Sequence, residues 1–146
     1  MKNYKQPDRT KETEDCLRAC VATILGMKMK DVPNFALEGP EPNEVKFGKR
    51  IYNLEQWLDK MGLGLIGVTG AGSHELRGTP NVYGIGAVMS LTHEYGKHAI
   101  VFRFNRHGNK EVWWDPNPDL VTCYPRFQLF NALHLFFIVP KPGCYK

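Results

Sequence analysis

Residues 15–25 read Asp15-Cys16-Leu17-Arg18-Ala19-Cys20-Val21-Ala22-Thr23-Ile24-Leu25, and this segment predicts a buried helix with a cysteine in its first turn. Apolar residues recur at the spacing of one helical face, at Leu17, Val21, Ile24 and Leu25. Small residues at Ala19, Ala22 and Thr23 would let the helix lie close to its neighbours. Asp15 or Thr13 can cap the first turn, and Gly26 ends the helix.

Cys16 is the candidate nucleophile of this segment. A thiol in the first turn lies at the positive end of the helix dipole, close to backbone N–H groups that have no partner within the helix. That setting favours the reactive thiolate. The alternative is structural, because free cysteines are among the most buried residues and Cys16 and Cys20 could both be core thiols.

Length and composition predict one domain spanning residues 1–146. Apolar residues make up 42% of the chain, and the net charge of +4 is mild. Since Lys and Arg are scattered among acidic residues, no basic stripe indicates nucleic acid. No apolar run is long enough to cross a membrane. The polar N-terminus does not resemble a secretory signal, so we expect a cytoplasmic protein whose four cysteines are free thiols.

The order of the elements predicts an α+β domain. A second helix is expected after Asn53, which would cap it, with Gly62 as its end. Segments rich in β-branched and aromatic residues predict strands over 63–68, 82–91, 97–104, 110–114 and 133–139. Residues 38–48 and 69–80 are expected to be loops. Helices followed by strands favour an antiparallel sheet with the helices packed on it.

One predicted hairpin brings an imidazole to a carboxylate. If its turn is centred on Arg106 and His107, residue n faces residue 213 − n, which places His98 opposite Asp115. Directly opposed residues have Cβ atoms about 5 Å apart. A histidine held by a carboxylate is the base-and-orienter half of a catalytic triad. The alternative is an ion pair across the sheet surface.

The motifs resemble those of papain-like cysteine peptidases, in particular the bacteriocin-processing (double-glycine leader) peptidases and small stand-alone phage and bacterial relatives. The matching segments are Gln6, Asp15-Cys16, Gly96-Lys97-His98-Ala99-Ile100-Val101 and Trp114-Asp115-Pro116. The chain departs from the family pattern in having Leu17 rather than Gly after Cys16, and Lys97 between Gly96 and His98.

The resemblance implies a papain-like fold and a Cys-His-Asp triad that cleaves a peptide or isopeptide bond. It makes Cys16 the nucleophile, His98 the base and later the acid, and Asp115 the orienting carboxylate. Gln6 would share the oxyanion hole with the Cys16 backbone N–H. The substrate would be a peptide or protein, and deamidation or acyl transfer could use the same residues.

Two other classes remain open at this stage. The chain could be a non-catalytic binding or inhibitory module on the same fold, or a small structural phage protein whose cysteines are merely buried. A zinc site could recruit Cys16, Cys20 and two histidines, but the sequence has no Cys-x-x-Cys knuckle and no His-Glu-x-x-His helix. We therefore predict neither a metal nor a cofactor, and the oligomeric state is left open.

Overall fold

In the part of the chain that the structure describes, two α-helices and a five-stranded antiparallel sheet form the fold. The computed structural model describes residues 16–35, 46–69, 75–89, 97–117, 123–130 and 132–141. The elements are α1 (Cys16–Leu25), a short 3-10 helix (Met29–Asp31), α2 (Lys46–Asp59), β1 (Leu63–Thr69), β2 (Tyr83–Met89), β3 (Lys97–Phe104), β4 (Lys110–Trp114) and β5 (His134–Pro140). The predicted α+β class is confirmed at this level. Within the described ranges, no helix has the length and apolar character needed to cross a bilayer.

The sheet has the order β1-β5-β2-β3-β4, and every neighbouring pair is antiparallel. The last strand therefore lies between β1 and β2 rather than at an edge. In this position β5 pairs with β1 through Val68 and Leu135 and with β2 through Ile85 and Phe136. Formation of the complete sheet thus depends on pairing between strands from distant parts of the chain.

The sequence predicts one buried apolar face for helix α1, but the structure buries more of the helix than that face. All of its first eight residues are buried except Arg18. One side of α1 contacts β2 and β3, and Val32 and Phe35 belong to the same apolar cluster. Ile24 and Leu25, which were expected to be core residues, are only half-buried. The helix ends as predicted, since Gly26 follows it with a φ of +66°.

Helix α2 begins well before the predicted start at Asn53. It starts at Lys46, so residues 46–48 are helical rather than part of the predicted loop, and residues 38–45 lie outside the described ranges. Asn53 is a buried residue within the helix, and its side-chain amide donates to the Phe35 carbonyl oxygen at 2.8 Å. The expected cap is therefore wrong, because a tertiary contact accounts for this asparagine.

Two apolar clusters cover the two faces of the sheet. On the helix side, Val101 and Ile85 pack with Cys20, Leu54 and Leu58. The opposite face carries its own buried cluster, which includes Ile100, Phe102, Phe104, Val112 and Leu135. Alternation along β3 thus contributes to both cores, because successive strand residues point to opposite faces.

Gly84 in β2 lies too close to its neighbours for a side chain. A Cβ atom there would sit 2.6 Å from the Phe102 ring and 2.8 Å from the Phe136 carbonyl oxygen. We expect Gly84→Ala to lower the free energy of unfolding, measured by urea denaturation, by about 1–3 kcal/mol through overpacking. Gly64→Ala in β1 is the matched control, because its Cβ would make only ordinary contacts, at 3.6 Å from the Lys141 side chain and 4.0 Å from the Val139 carbonyl oxygen. Equal stability of the two variants would contradict this packing.

Candidate active site

Cys16 is the first residue of α1 and is only 3% exposed. The helix that carries it is tied to the following segment by Arg18, whose Nε donates to the carbonyl oxygens of Met29 at 3.0 Å and Val32 at 2.7 Å. Behind Cys16, the small residue Ala99 of β3 belongs to the same buried cluster. The position of the thiol is therefore fixed by a helix that is anchored both to the sheet and to the segment that follows the helix.

His98 near the start of β3 is hydrogen-bonded to Asp115. The His98 Nε2 lies 2.6 Å from the Asp115 Oδ1, and the two residues are 6% and 3% exposed. The predicted proximity of this imidazole and carboxylate is therefore found in the structure. Since Nε2 faces Asp115, Nδ1 is the ring nitrogen left for the thiol.

The hairpin register that led to this pair is nevertheless wrong. Near the turn, Phe102 pairs with Val112 rather than with the predicted Glu111, a shift of one residue. The reason is a longer loop, closed by hydrogen bonds between Asn105 and Asn109 and between Gly108 and Asn105, with Gly108 at a φ of +78°. A positive-φ glycine is typical of hairpins with a three-residue loop.

A bulge in β4 adds a second shift. Val101 pairs with Trp114 while Phe102 pairs with Val112, so Trp113 is the extra residue. The two shifts mean that no direct cross-strand pair joins His98 to Asp115. Their side chains meet instead because Asp115 follows the last residue of β4, where the chain has left the ladder.

Two backbone amides hold the Asp115 carboxylate toward His98. The Asn117 N–H donates to Oδ1 at 2.9 Å, and the Tyr124 N–H donates to Oδ2 at 2.8 Å. The Cys123 thiol donates to the Asn117 carbonyl oxygen at 3.2 Å and so links the segments that provide these two amides. Burial alone would raise the pKa of the Asp115 carboxyl. The hydrogen bonds from His98, Tyr124 and Asn117 together outweigh burial and lower the pKa, so Asp115 is a carboxylate at neutral pH.

Contact with both Asp115 and Cys16 keeps the His98 imidazole protonated. Burial alone would lower its pKa, but hydrogen bonds to Asp115 and to Cys16 outweigh burial and raise the pKa from 6.5 to about 10. The structure therefore brings a thiol, an imidazolium and a carboxylate into one buried chain of contacts. An imidazolium beside a thiol favours the thiolate, which is the reactive form.

Cys20, the rival nucleophile, lies one turn further along α1 and is fully buried, as predicted. Burial, together with the nearby Cys16 and Asp115, raises the pKa of the Cys20 thiol well above its usual value. Cys20 therefore remains a neutral thiol under conditions that would ionise a reactive cysteine.

The other predicted site residues are not all described. Gln6, the predicted oxyanion-hole residue, lies outside the described ranges. Trp114 packs against the cluster that contains Cys16 and Cys20. The two backbone N–H groups that hold Asp115, those of Asn117 and Tyr124, were not predicted. The sequence Asp115-Pro116-Asn117 could have indicated the first, because aspartate side chains accept from the N–H two residues on, but no local signal indicates the second.

No group of three or more potential ligands among the described His, Cys, Asp and Glu residues could hold a metal ion. Comparison of the chain with protein-family models, with curated proteins and with solved structures found no match. Any assignment therefore rests on the geometry around Cys16.

Proposed function

We propose that this protein is a cysteine hydrolase of papain-like fold that cleaves an acyl bond in a peptide or protein. The observation that carries the proposal is the buried contact chain from Cys16 through His98 to Asp115. It combines a thiol at a helix start, an imidazolium, and a carboxylate held by two amides. The free thiols at Cys16, Cys20 and Cys123 support a reducing compartment, for which we propose the cytosol.

The chemistry would proceed in two steps. The Cys16 thiolate attacks the carbonyl carbon, and the His98 imidazolium gives its proton to the leaving amine, which leaves a thioester on Sγ. The neutral imidazole then takes a proton from water, whose oxygen attacks the thioester and restores the thiolate. Asp115 stabilises the imidazolium in both steps. The Cys16 N–H, in the first helical turn, can donate to the developing oxyanion, and Gln6 is the proposed second donor.

Burial of the site favours a second candidate, a non-catalytic binding or inhibitory module on the same fold. Cys16 and His98 are only 3% and 6% exposed, so little of either residue faces solvent. In this alternative the thiol and imidazole serve packing. Deamidation and acyl transfer, in contrast, use the same nucleophile and differ only in the acyl donor or acceptor.

Alkylation with iodoacetamide at pH 6, with the modified cysteine identified by mass spectrometry, separates the two candidates. Iodoacetamide reacts with the thiolate, and an adjacent imidazolium favours that form. Part of the gain in thiolate is offset because a more acidic thiol is a weaker nucleophile. We expect Cys16 to react about tenfold faster than a free thiol, and this advantage to be absent in His98→Ala.

Cys20 is the internal control, because it shares α1 and is buried but has a raised pKa. Modification of Cys20 at the rate of Cys16 would mean that the helix opens as a whole, and would remove the case for a special thiol. Slow modification of all cysteines, unchanged by His98→Ala, would support the binding module instead.

A further inference from the structure

A second site lies at the opposite end of the β3–β4 hairpin. It is a cavity of about 420 Å³, which we call the turn cavity, and its lining includes Asn81, Arg103, Asn105, Arg106, His107 and Phe127. The eight residues from His98 to Asn105 span about 23 Å in an extended strand, so a ligand here would not touch Cys16.

The turn cavity has an excess of positive charge. Its acidic lining residue, Glu111, is already paired with Arg103, with the Arg103 Nε 2.7 Å from the Glu111 Oε1. Arg106 donates from Nε to the His107 Nε2 at 3.2 Å, which leaves the two terminal nitrogens of its guanidinium for another acceptor. Among the described residues, no carboxylate forms an ion pair with Arg106 or Arg126. The charge of the cavity therefore suits an anion.

Two guanidinium groups beside the cavity are positioned in advance by aromatic rings. The Arg103 Cζ lies 4.3 Å from the centre of the Trp113 ring and 5.0 Å from that of Phe127. The Arg126 Cζ lies 3.6 Å and 4.8 Å from the same two centres. Stacking occupies the faces of a guanidinium and leaves N–H groups at its edge to donate to phosphate or carboxylate oxygens.

The cavity also presents an aromatic ring at the cost of backbone strain. Phe127 is 51% exposed and has a φ of +64°, a conformation that bulky residues rarely adopt. Hydrogen bonds with β4 hold it there, from the Phe127 N–H to the Val112 carbonyl at 2.7 Å and from the Val112 N–H to the Gln128 carbonyl at 2.9 Å. Strained residues of this kind are concentrated at functional sites.

We propose that the turn cavity binds a small organic anion in which a phosphate or carboxylate is carried on a planar ring, the class to which mononucleotides belong. The anionic group bonds to the terminal nitrogens of Arg106, and the ring packs against the exposed Phe127 side chain. The Arg103 guanidinium, which is bonded to Glu111 and Tyr83, adds positive charge beside the anion. This site is independent of the proposed hydrolase activity, because it uses none of the residues around Cys16.

The test is titration calorimetry with AMP, inorganic phosphate and adenosine, each up to 5 mM. AMP should bind at least tenfold more tightly than either fragment. Arg106→Gln should weaken AMP binding at least tenfold. Phe127→Gly, which keeps the positive φ without strain, should reduce the affinity for AMP to that for inorganic phosphate, with urea denaturation as the check that the variant is folded. Lys60→Gln, an exposed charge that directly follows α2 and does not line the cavity, is the matched control and should leave binding unchanged.

Absence of AMP binding at 5 mM would overturn the proposal, and so would equal affinity for AMP and inorganic phosphate, which would remove the role of the ring. AMP binding that survives both Arg106→Gln and Phe127→Gly would place the ligand elsewhere and also refute the assignment. We expect AMP to leave the rate of Cys16 alkylation unchanged. Failure of the AMP-binding test is therefore distinguishable from failure of the proposed hydrolase function.

Discussion

Replacing Asp115 with asparagine is expected to slow Cys16 alkylation at pH 6 about tenfold and to lower the free energy of unfolding by about 3 kcal/mol or more. Asp115 accepts three hydrogen bonds, from the His98 imidazole and from the Asn117 and Tyr124 amides. It is the anion that keeps His98 protonated, and without it the buried imidazole loses its proton. The Cys16 thiol then loses the adjacent positive charge that favours its thiolate.

Asparagine fits the site sterically but not electronically. Its side chain offers one oxygen and one NH₂ group, whereas the three donors around Asp115 approach both carboxylate oxygens. In either orientation of the amide, at least one N–H donor therefore faces another donor, and a buried unsatisfied donor costs about 1–3 kcal/mol. The reactivity and stability of the variant should fall together.

Asn53→Ala is the control for stability alone. Asn53 is a buried polar residue of α2 that donates to the Phe35 carbonyl and has no contact with the triad in the structure. Its loss should lower stability by about 1–2 kcal/mol and leave the alkylation rate of Cys16 unchanged. An Asp115→Asn variant that alkylates at the wild-type rate would show that Asp115 has a structural role only.

The local sequence pattern was sufficient to predict the helix and the two strands near the site. The predicted strand over 97–104 has the observed bounds of β3, and the predicted strand over 110–114 has those of β4. Both contain dense β-branched and aromatic residues, and Gly108 separates them at a conformation that favours glycine. The helix that begins at Cys16 was equally clear, because Gly26 ends it and apolar residues recur along it.

The features that position the site precisely in space are long-range and were not predictable. Trp113 and Trp114 are both apolar, so the sequence carries no alternation that would indicate a bulge between β3 and β4. The contact of His98 with Asp115 survives the register error because Asp115 lies beyond the ladder, where an Asx-type turn to Asn117 aims its carboxylate. The turn cavity was also invisible, since Asn81, Arg103 and Phe127 come from three distant segments.

The start of α2 shows the same limit on a smaller scale. Gly48 lies in the first turn, and glycine weakens a helix, so the pattern favoured a later start at Asn53. Tertiary contact decides otherwise, since Leu54 and Leu58 are fully buried against the sheet and the helix extends back from them. A residue that looks like a cap can thus be an interior anchor.

The stability of the protein should depend on pH in a way that identifies His98 as the charged partner. The pKa of His98 is raised from 6.5 to about 10 in the folded state, so its contribution is complete below pH 6.5 and is lost as the pH rises toward 10. The pKa of Asp115 is lowered, so its contribution is complete above the usual carboxyl range and is lost as the pH falls through it. The pair therefore stabilises the fold most between about pH 4 and pH 6.5.

Urea denaturation at pH 5.5, 7.5 and 9.5 tests this dependence. The wild type should lose a few kcal/mol across this range, since each unit of pKa shift corresponds to about 1.4 kcal/mol. His98→Gln should lose less, because glutamine does not titrate at the position where the wild type loses the raised proton of His98. Asn53→Ala should be less stable at every pH but keep the wild-type slope. Parallel curves for the wild type and His98→Gln would mean that the folded state does not hold an imidazolium.

Cys16→Ala separates the two partners of His98. Part of the rise in the pKa of His98 comes from Cys16, and the hydrogen bond to Asp115 precedes it in size. Without the thiol, the pKa of His98 should remain above 6.5 but fall below its wild-type value, so the loss of stability should be complete at a lower pH. If the curve of Cys16→Ala coincides with that of the wild type, His98 and Cys16 are not coupled, and the thiol has lost the partner that a hydrolase requires.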